Sequence, residues 1–220
     1  MSSVREEAGR IRMVYARIEA AARDWEPTVL SYFEGQPFKA LVAAMLSAQT
    51  REEHTMAAMQ NLLRLGETPF ELLRCSDEQL REAIRPVMYY ESKLGYLRDI
   101  CQKLVERGGA VPSSLEELMT FKGVGWKVAV LTRAAGFGIH EDITVDVHVA
   151  RISKRLGWVD PAITAPPKIN EALKAVMPRD LWPGWNSLMV QFGRAICKPT
   201  APQCRRCPVA DLCPKVGVGS

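Results

Sequence analysis

SSLEELMTFKGVGWKVAVLTRAA, residues 113–135, is the stretch on which the fold turns. Leu115, Leu118 and Met119 fall together as a short helix, with Ser114 placed as N-cap and Glu117 placed to complete a capping box. Val128, Leu131 and Ala135 resume the helical spacing on the far side. Between them lies KGVG, where Gly123 and Gly125 permit positive φ and the close approach of another backbone. The expected unit is helix, tight hairpin, helix. Its amides point outward at the start of the second helix, where the dipole favours an anion such as a phosphate. A lone G-x-G also suits an ordinary turn, so the glycines by themselves leave function open.

Working outward, the chain reads as all-α. Phe38, Leu41, Val42, Met45 and Leu46 recur on one helix face, and Leu94, Leu97, Cys101 and Leu104 do the same before a Gly108-Gly109 stop. Trp185, Leu188, Met189, Phe192 and Ile196 line a late helix. One segment, ITVDVHV at 143–149, alternates as a strand would. No second strand is there to pair with it, so the better reading makes Asp146 the N-cap of a helix carrying Val149, Ile152 and Leu156 on one face.

With 220 residues, 47% hydrophobic and 25% charged, the composition is that of a globular protein. The N-terminus lacks a signal-peptide core and no apolar run suits a bilayer, so a cytoplasmic location, or the nucleoid within it, is expected, with no membrane partner. The net charge is +4, and residues 190–220 account for it: Arg194, Lys198, Arg205, Arg206 and Lys215 against Asp211. A basic patch of that kind suits a polyanion.

Lys127 sits in the first turn of the helix after the hairpin, where the dipole disfavours a cation. That position suits a lysine required as a neutral amine, because it pushes the pKa down; the plain alternative is an exposed phosphate contact. Asp146 adds a carboxylate at another helix start, and capping does not preclude a second role.

CKPTAPQCRRCPVADLC, residues 197–213, sets Cys197, Cys204, Cys207 and Cys213 within seventeen residues. Cys75 and Cys101 stand apart in helical patterns and read as small apolar residues. A reducing compartment argues against disulfides. Zinc sites usually show two close pairs and only Cys204–Cys207 makes one, so an iron–sulfur cluster ranks modestly above zinc.

LVAAMLSAQT (41–50), FKGVGWKVA (121–129) and ITVDVHVARISKRLG (143–157), in this order and followed by the four cysteines, resemble the endonuclease III family of helix-hairpin-helix DNA glycosylases. The resemblance runs from about residue 30 to Cys213. It implies a two-lobed all-α fold: a helical bundle over 30–142 with the hairpin, and a discontinuous lobe of 1–29 and 143–220 with a [4Fe-4S] cluster held by the four cysteines. It implies a base-excision glycosylase with abasic-site lyase activity, acting as a monomer on duplex DNA that carries oxidised pyrimidines or abasic sites. Lys127 is then the nucleophile and Asp146 its carboxylate partner. Gly123 and Gly125, Gln49, the Met88-Tyr89 pair, and Lys198, Arg205 and Arg206 become DNA contacts, Gln49 filling the gap left by the flipped nucleotide.

Two departures bear on substrate range. The wedge of the family, usually a small and an aliphatic residue before a tyrosine, is here Met88, Tyr89 and Tyr90. Trp126 stands where an arginine is frequent. His54 and His148 read as structural. Two alternatives follow: a monofunctional mismatch glycosylase of the same fold, which generally lacks the hairpin lysine, and a non-catalytic binder of damaged DNA.

Overall fold

A computed structural model describes residues 2–219, with side chains from Glu6 onward. Met1 and Ser220, the ends of the expected discontinuous lobe, lie outside the described residues. Among those described there are eleven α-helices, three short 3-10 turns and no strand. No helix among them is long and apolar enough to cross a membrane. The chain divides into two compact units: Val29–Ile139, the central unit, and Met1–Thr28 with His140–Ser220, the terminal unit.

In chain order the helices are α1 (Ser2–Ala22), then in the central unit α2 (Pro37–Ser47), α3 (Glu52–Leu65), α4 (Pro69–Arg74), α5 (Asp77–Ile84), α6 (Tyr90–Glu106), α7 (Leu115–Leu118) and α8 (Trp126–Phe137). α2 is the axis of this unit. Every residue from Ala40 to Leu46 is buried, so the one-faced helix expected from the sequence is instead covered all round. α8 crosses it closely because Gly136 lies on Pro37, where an added Cβ would come within 2.8 Å of the proline Cα. Leu94, Leu97, Ile100, Cys101 and Leu104 of α6 join the same core.

Local signals set the helix starts. Thr68 with Glu71 and Ser76 with Gln79 form complete capping boxes at α4 and α5. The box expected at Ser114 is only half made: Ser114 Oγ accepts from the Glu117 amide at 3.4 Å, but the Glu117 carboxylate turns to Arg107 at 2.8 Å. Cys101 is buried as expected; Cys75 is half-buried at the end of α4.

The terminal unit comprises α1, α9 (Val147–Arg155), α10 (Pro166–Val176) and α11 (Trp185–Ala195) around Ile11, Val14, Ile18, Ile152, Leu173 and Met189. Trp185 stacks on Tyr15 and meets Trp158, and Trp25 stacks on Phe192. Asp146 does begin a helix. The alternating residues before it lie outside any helix or strand, and their carbonyls are taken by side chains: Asn170 Nδ2 donates to Ile143 O at 2.6 Å and Asn186 Nδ2 to Thr144 O at 3.3 Å. Those two asparagines replace the missing strand.

Candidate functional site

The hairpin between α7 and α8 is pinned from below by Phe121 and Val124, both buried. The Lys122 amide donates to Asp99 Oδ2 at 2.8 Å. Gly123 takes φ +77°, and a Cβ there would lie 2.3 Å from the Tyr96 ring, so both conformation and space require glycine. Gly125 differs from expectation: its φ is −87°, an ordinary extended N-cap, with open space where a Cβ would be. The positive φ falls on Gly123 alone.

No side chain caps α8, and the Trp126, Lys127 and Val128 amides donate to no group among the described residues. Uncapped amides at a helix start are suited to an anion. Lys127 is the second residue of α8 and is exposed, and its amine makes no hydrogen bond or ion pair among the described residues. Trp126 beside it, one of the two expected departures, is 40% exposed.

Gln49 and the Met88-Tyr89 pair also belong to the central unit. Gln49 is exposed, two residues past the end of α2, with φ +53°. Tyr89 is the N-cap of α6 with φ +57° and is 61% exposed; Met88 is 51% exposed. The structure links these loops: the Met88 amide donates to Thr50 Oγ1 at 3.2 Å. Beneath them is a residue that sequence reasoning missed. Lys93 is buried, and its Nζ donates to Leu46 O at 2.6 Å, Ala48 O at 2.7 Å and Thr50 Oγ1 at 2.9 Å. Burial pushes its amine down to about 8. A signal was available: Lys93 precedes Leu97, Ile100 and Leu104 on the buried stripe of α6.

In the terminal unit, Asp146 Oδ1 accepts from the His148 and Val149 amides, both at 2.8 Å. Both capping bonds fall on one oxygen. The other, Oδ2, carries no hydrogen bond among the described residues. Asp146 is half-buried and so combines a fixed backbone cap with a free carboxylate oxygen. His148 is half-buried, with Nδ1 3.2 Å from Arg151 Nη2; His54 is exposed in the first turn of α3. Lys127 lies in the central unit and Asp146 in the terminal unit.

The four cysteines are brought to one pocket, whose apolar lining includes Ile152, Phe192, Ile196 and Val209. All four are free thiols and half-buried. Burial pushes the Cys207 thiol up to about 11, and the charges of Cys213, Cys197 and Cys204 push the same way. Arg155 Nη1 donates to Cys197 Sγ at 3.3 Å and Lys198 O at 2.7 Å, while Arg151 Nε donates to Cys197 O at 3.1 Å. As the side chains stand, no group of three or more His, Cys, Asp or Glu residues among those described is gathered closely enough to hold a metal ion. The donor type and the shared apolar pocket fit a thiolate-held cluster. Lys198, Arg205 and Arg206 are exposed on the same loop.

The hairpin, with Lys127 exposed at the start of α8, lies in the central unit and the four-cysteine loop in the terminal unit. The sequence profile described as HhH-GPD superfamily base excision DNA repair protein matches residues 42–179. Endonuclease III of Thermotoga maritima is 42% identical over 181 residues, covering 82% of this chain and 84% of that protein. Endonuclease III-like protein 1 of Bos taurus is 38% identical over 178 residues, 80% of this chain and 58% of that protein. A solved structure of a trapped endonuclease III–DNA covalent intermediate, an estranged-adenine complex, superposes with a TM-score of 0.80 at 30% identity, over 94% of this chain and 96% of that one. The chain belongs to the endonuclease III family within the HhH-GPD superfamily.

Proposed function

We propose that this protein is a base-excision DNA glycosylase and abasic-site lyase that removes oxidised pyrimidines from duplex DNA. The observation that carries the reading is Lys127, an exposed and unpaired amine at the uncapped start of α8 in a chain of this family. The damaged nucleotide leaves the stack before its glycosidic bond is accessible. The neutral amine of Lys127 then attacks C1′ and the C1′–N bond breaks, the base leaving with its electron pair and taking up a proton. Opening of the sugar ring gives an imine between Nζ and C1′. Loss of a C2′ proton breaks the C3′–O bond, the 3′ phosphate departs, and water hydrolyses the imine to free the lysine. The free oxygen of Asp146 is assigned the stabilisation of positive charge on the sugar and the acceptance of the lysine proton.

Gly123, Gly125 and the uncapped amides are read as a phosphate seat, with Gln49, Met88 and Tyr89 entering the stack. Cys197, Cys204, Cys207 and Cys213 are assigned a [4Fe-4S] cluster, which when bound ties the 197–213 loop together. Lys198, Arg205 and Arg206 on that loop would reach backbone phosphates. Action as a monomer on nucleoid DNA in the cytoplasm is the accompanying reading.

Incubation with a duplex carrying one thymine glycol is expected to release the base and cut the strand on its 3′ side. Base release without cleavage would support the monofunctional alternative, and binding without either would support the damage binder. For the cofactor, anaerobically purified protein is expected to contain about four irons per chain. Cys207→Ser should lower that content, and zinc in place of iron would overturn the assignment.

A further inference from the structure

We propose that Lys93 is a positioning residue that locks Gln49 and the Met88-Tyr89 pair into one two-part wedge for the duplex, an inference that rests on the DNA-binding reading above. The two parts come from separate loops, after α2 and before α6. Gln49 and Tyr89 both hold left-handed backbone, at φ +53° and +57°, which costs a residue with a Cβ and persists only where the surroundings enforce it.

The enforcing group lies beneath them. An ammonium has three N–H donors, and Lys93 Nζ meets three acceptors at 2.6–2.9 Å: Leu46 O, Ala48 O and Thr50 Oγ1. The Thr50 hydroxyl is used to capacity too. It donates to Ala48 O at 3.3 Å and accepts from Lys93 and from the Met88 amide at 3.2 Å. The chain of bonds therefore runs from the end of α2, across Gln49, through Thr50, to Met88. The Lys93 amine and the Thr50 hydroxyl thus use every donor and acceptor position they have, which favours a single arrangement.

Lys93 is a poor choice for stability alone. It is 4% exposed and sits at the end of the first turn of α6, where burial and the helix dipole both oppose a cation. An apolar residue would continue the stripe formed by Leu97, Ile100 and Leu104. What the lysine adds is a tie between the residues on either side of Gln49, Ala48 and Thr50, and through Thr50 to the Met88 amide beside Tyr89.

The test uses the full chain as Lys93→Met, Thr50→Val and Thr50→Ser, with a duplex carrying 2-aminopurine opposite a tetrahydrofuran abasic analogue, which has no C1′ hydroxyl and is not cleaved by imine formation. Binding is followed to saturation by anisotropy, and unstacking by 2-aminopurine fluorescence at saturation. Wild type is expected to give a fluorescence rise. Lys93→Met and Thr50→Val should shift the unstacking equilibrium back about tenfold at saturation, the effect of losing a bond from a coupled network. Thr50→Ser, which keeps the hydroxyl, should restore the rise. A full rise in Lys93→Met or Thr50→Val, or a loss in Thr50→Ser equal to that in Thr50→Val, overturns the proposal. If Lys93→Met does not fold, the Thr50 pair decides by the same readout. Wild type that binds without a rise overturns the wedge alone, whereas wild type that does not bind overturns the DNA-binding reading.

Discussion

Lys127→Ala is expected to lower strand cleavage at an abasic site by about 10³-fold or more, because the variant loses the nucleophile rather than a contact around it. Folding should not suffer. Lys127 is exposed and unpaired among the described residues, so truncation should move stability by no more than about 0.5 kcal/mol. The sign should if anything be favourable, since the change removes a cation from the positive end of α8. Single-turnover cleavage, with thermal melts on the same preparations, checks both parts. Cleavage within a few-fold of wild type would remove Lys127 from the chemistry.

Asp146 offers a sharper separation of roles, because its two carboxylate oxygens have different surroundings. Oδ1 caps α9, and asparagine can replace that acceptor at a helix start as well as aspartate does. Asp146→Asn is therefore expected to fold with nearly wild-type stability while base release falls about 10²-fold or more, the range for removing a positioned acid–base group. Asp146→Ala should show the same loss of activity and an added destabilisation of about 1 kcal/mol from the missing cap. If Asn retains activity and only Ala loses it, Asp146 is a structural cap.

The parts of the fold legible in the sequence were those set locally. The hairpin, the cap at Asp146 and the stop at Gly108-Gly109 each depend on a few adjacent residues, and each formed where the residues indicated. The capping boxes at Thr68 and Ser76 carry equally local signals, T-x-x-E and S-x-x-Q. Burial of α2 on every face from Ala40 to Leu46 was not legible, because it depends on which helices surround it. The stretch at 143–145 looked like a strand without a partner because its partners are the side chains of Asn170 and Asn186, more than twenty residues away.

The same reason hid Lys93. Two of its acceptors are backbone carbonyls 45 and 47 residues earlier in the chain, and carbonyls leave no mark in a sequence. For the two glycines of the hairpin, the sequence shows the type but not the cause: Gly123 is required by Tyr96 and a positive φ, and Gly125 by neither. An unforced glycine at the start of α8 leaves the approach to its uncapped amides open.

The central claim is that the amine of Lys127 bonds to the sugar. Borohydride reduction of wild-type protein on an abasic duplex, followed by digestion and mass spectrometry of the cross-linked peptide, tests it most directly. The account predicts a single adduct, on Lys127. Strand cleavage with no adduct, or an adduct on any other amine, would contradict it.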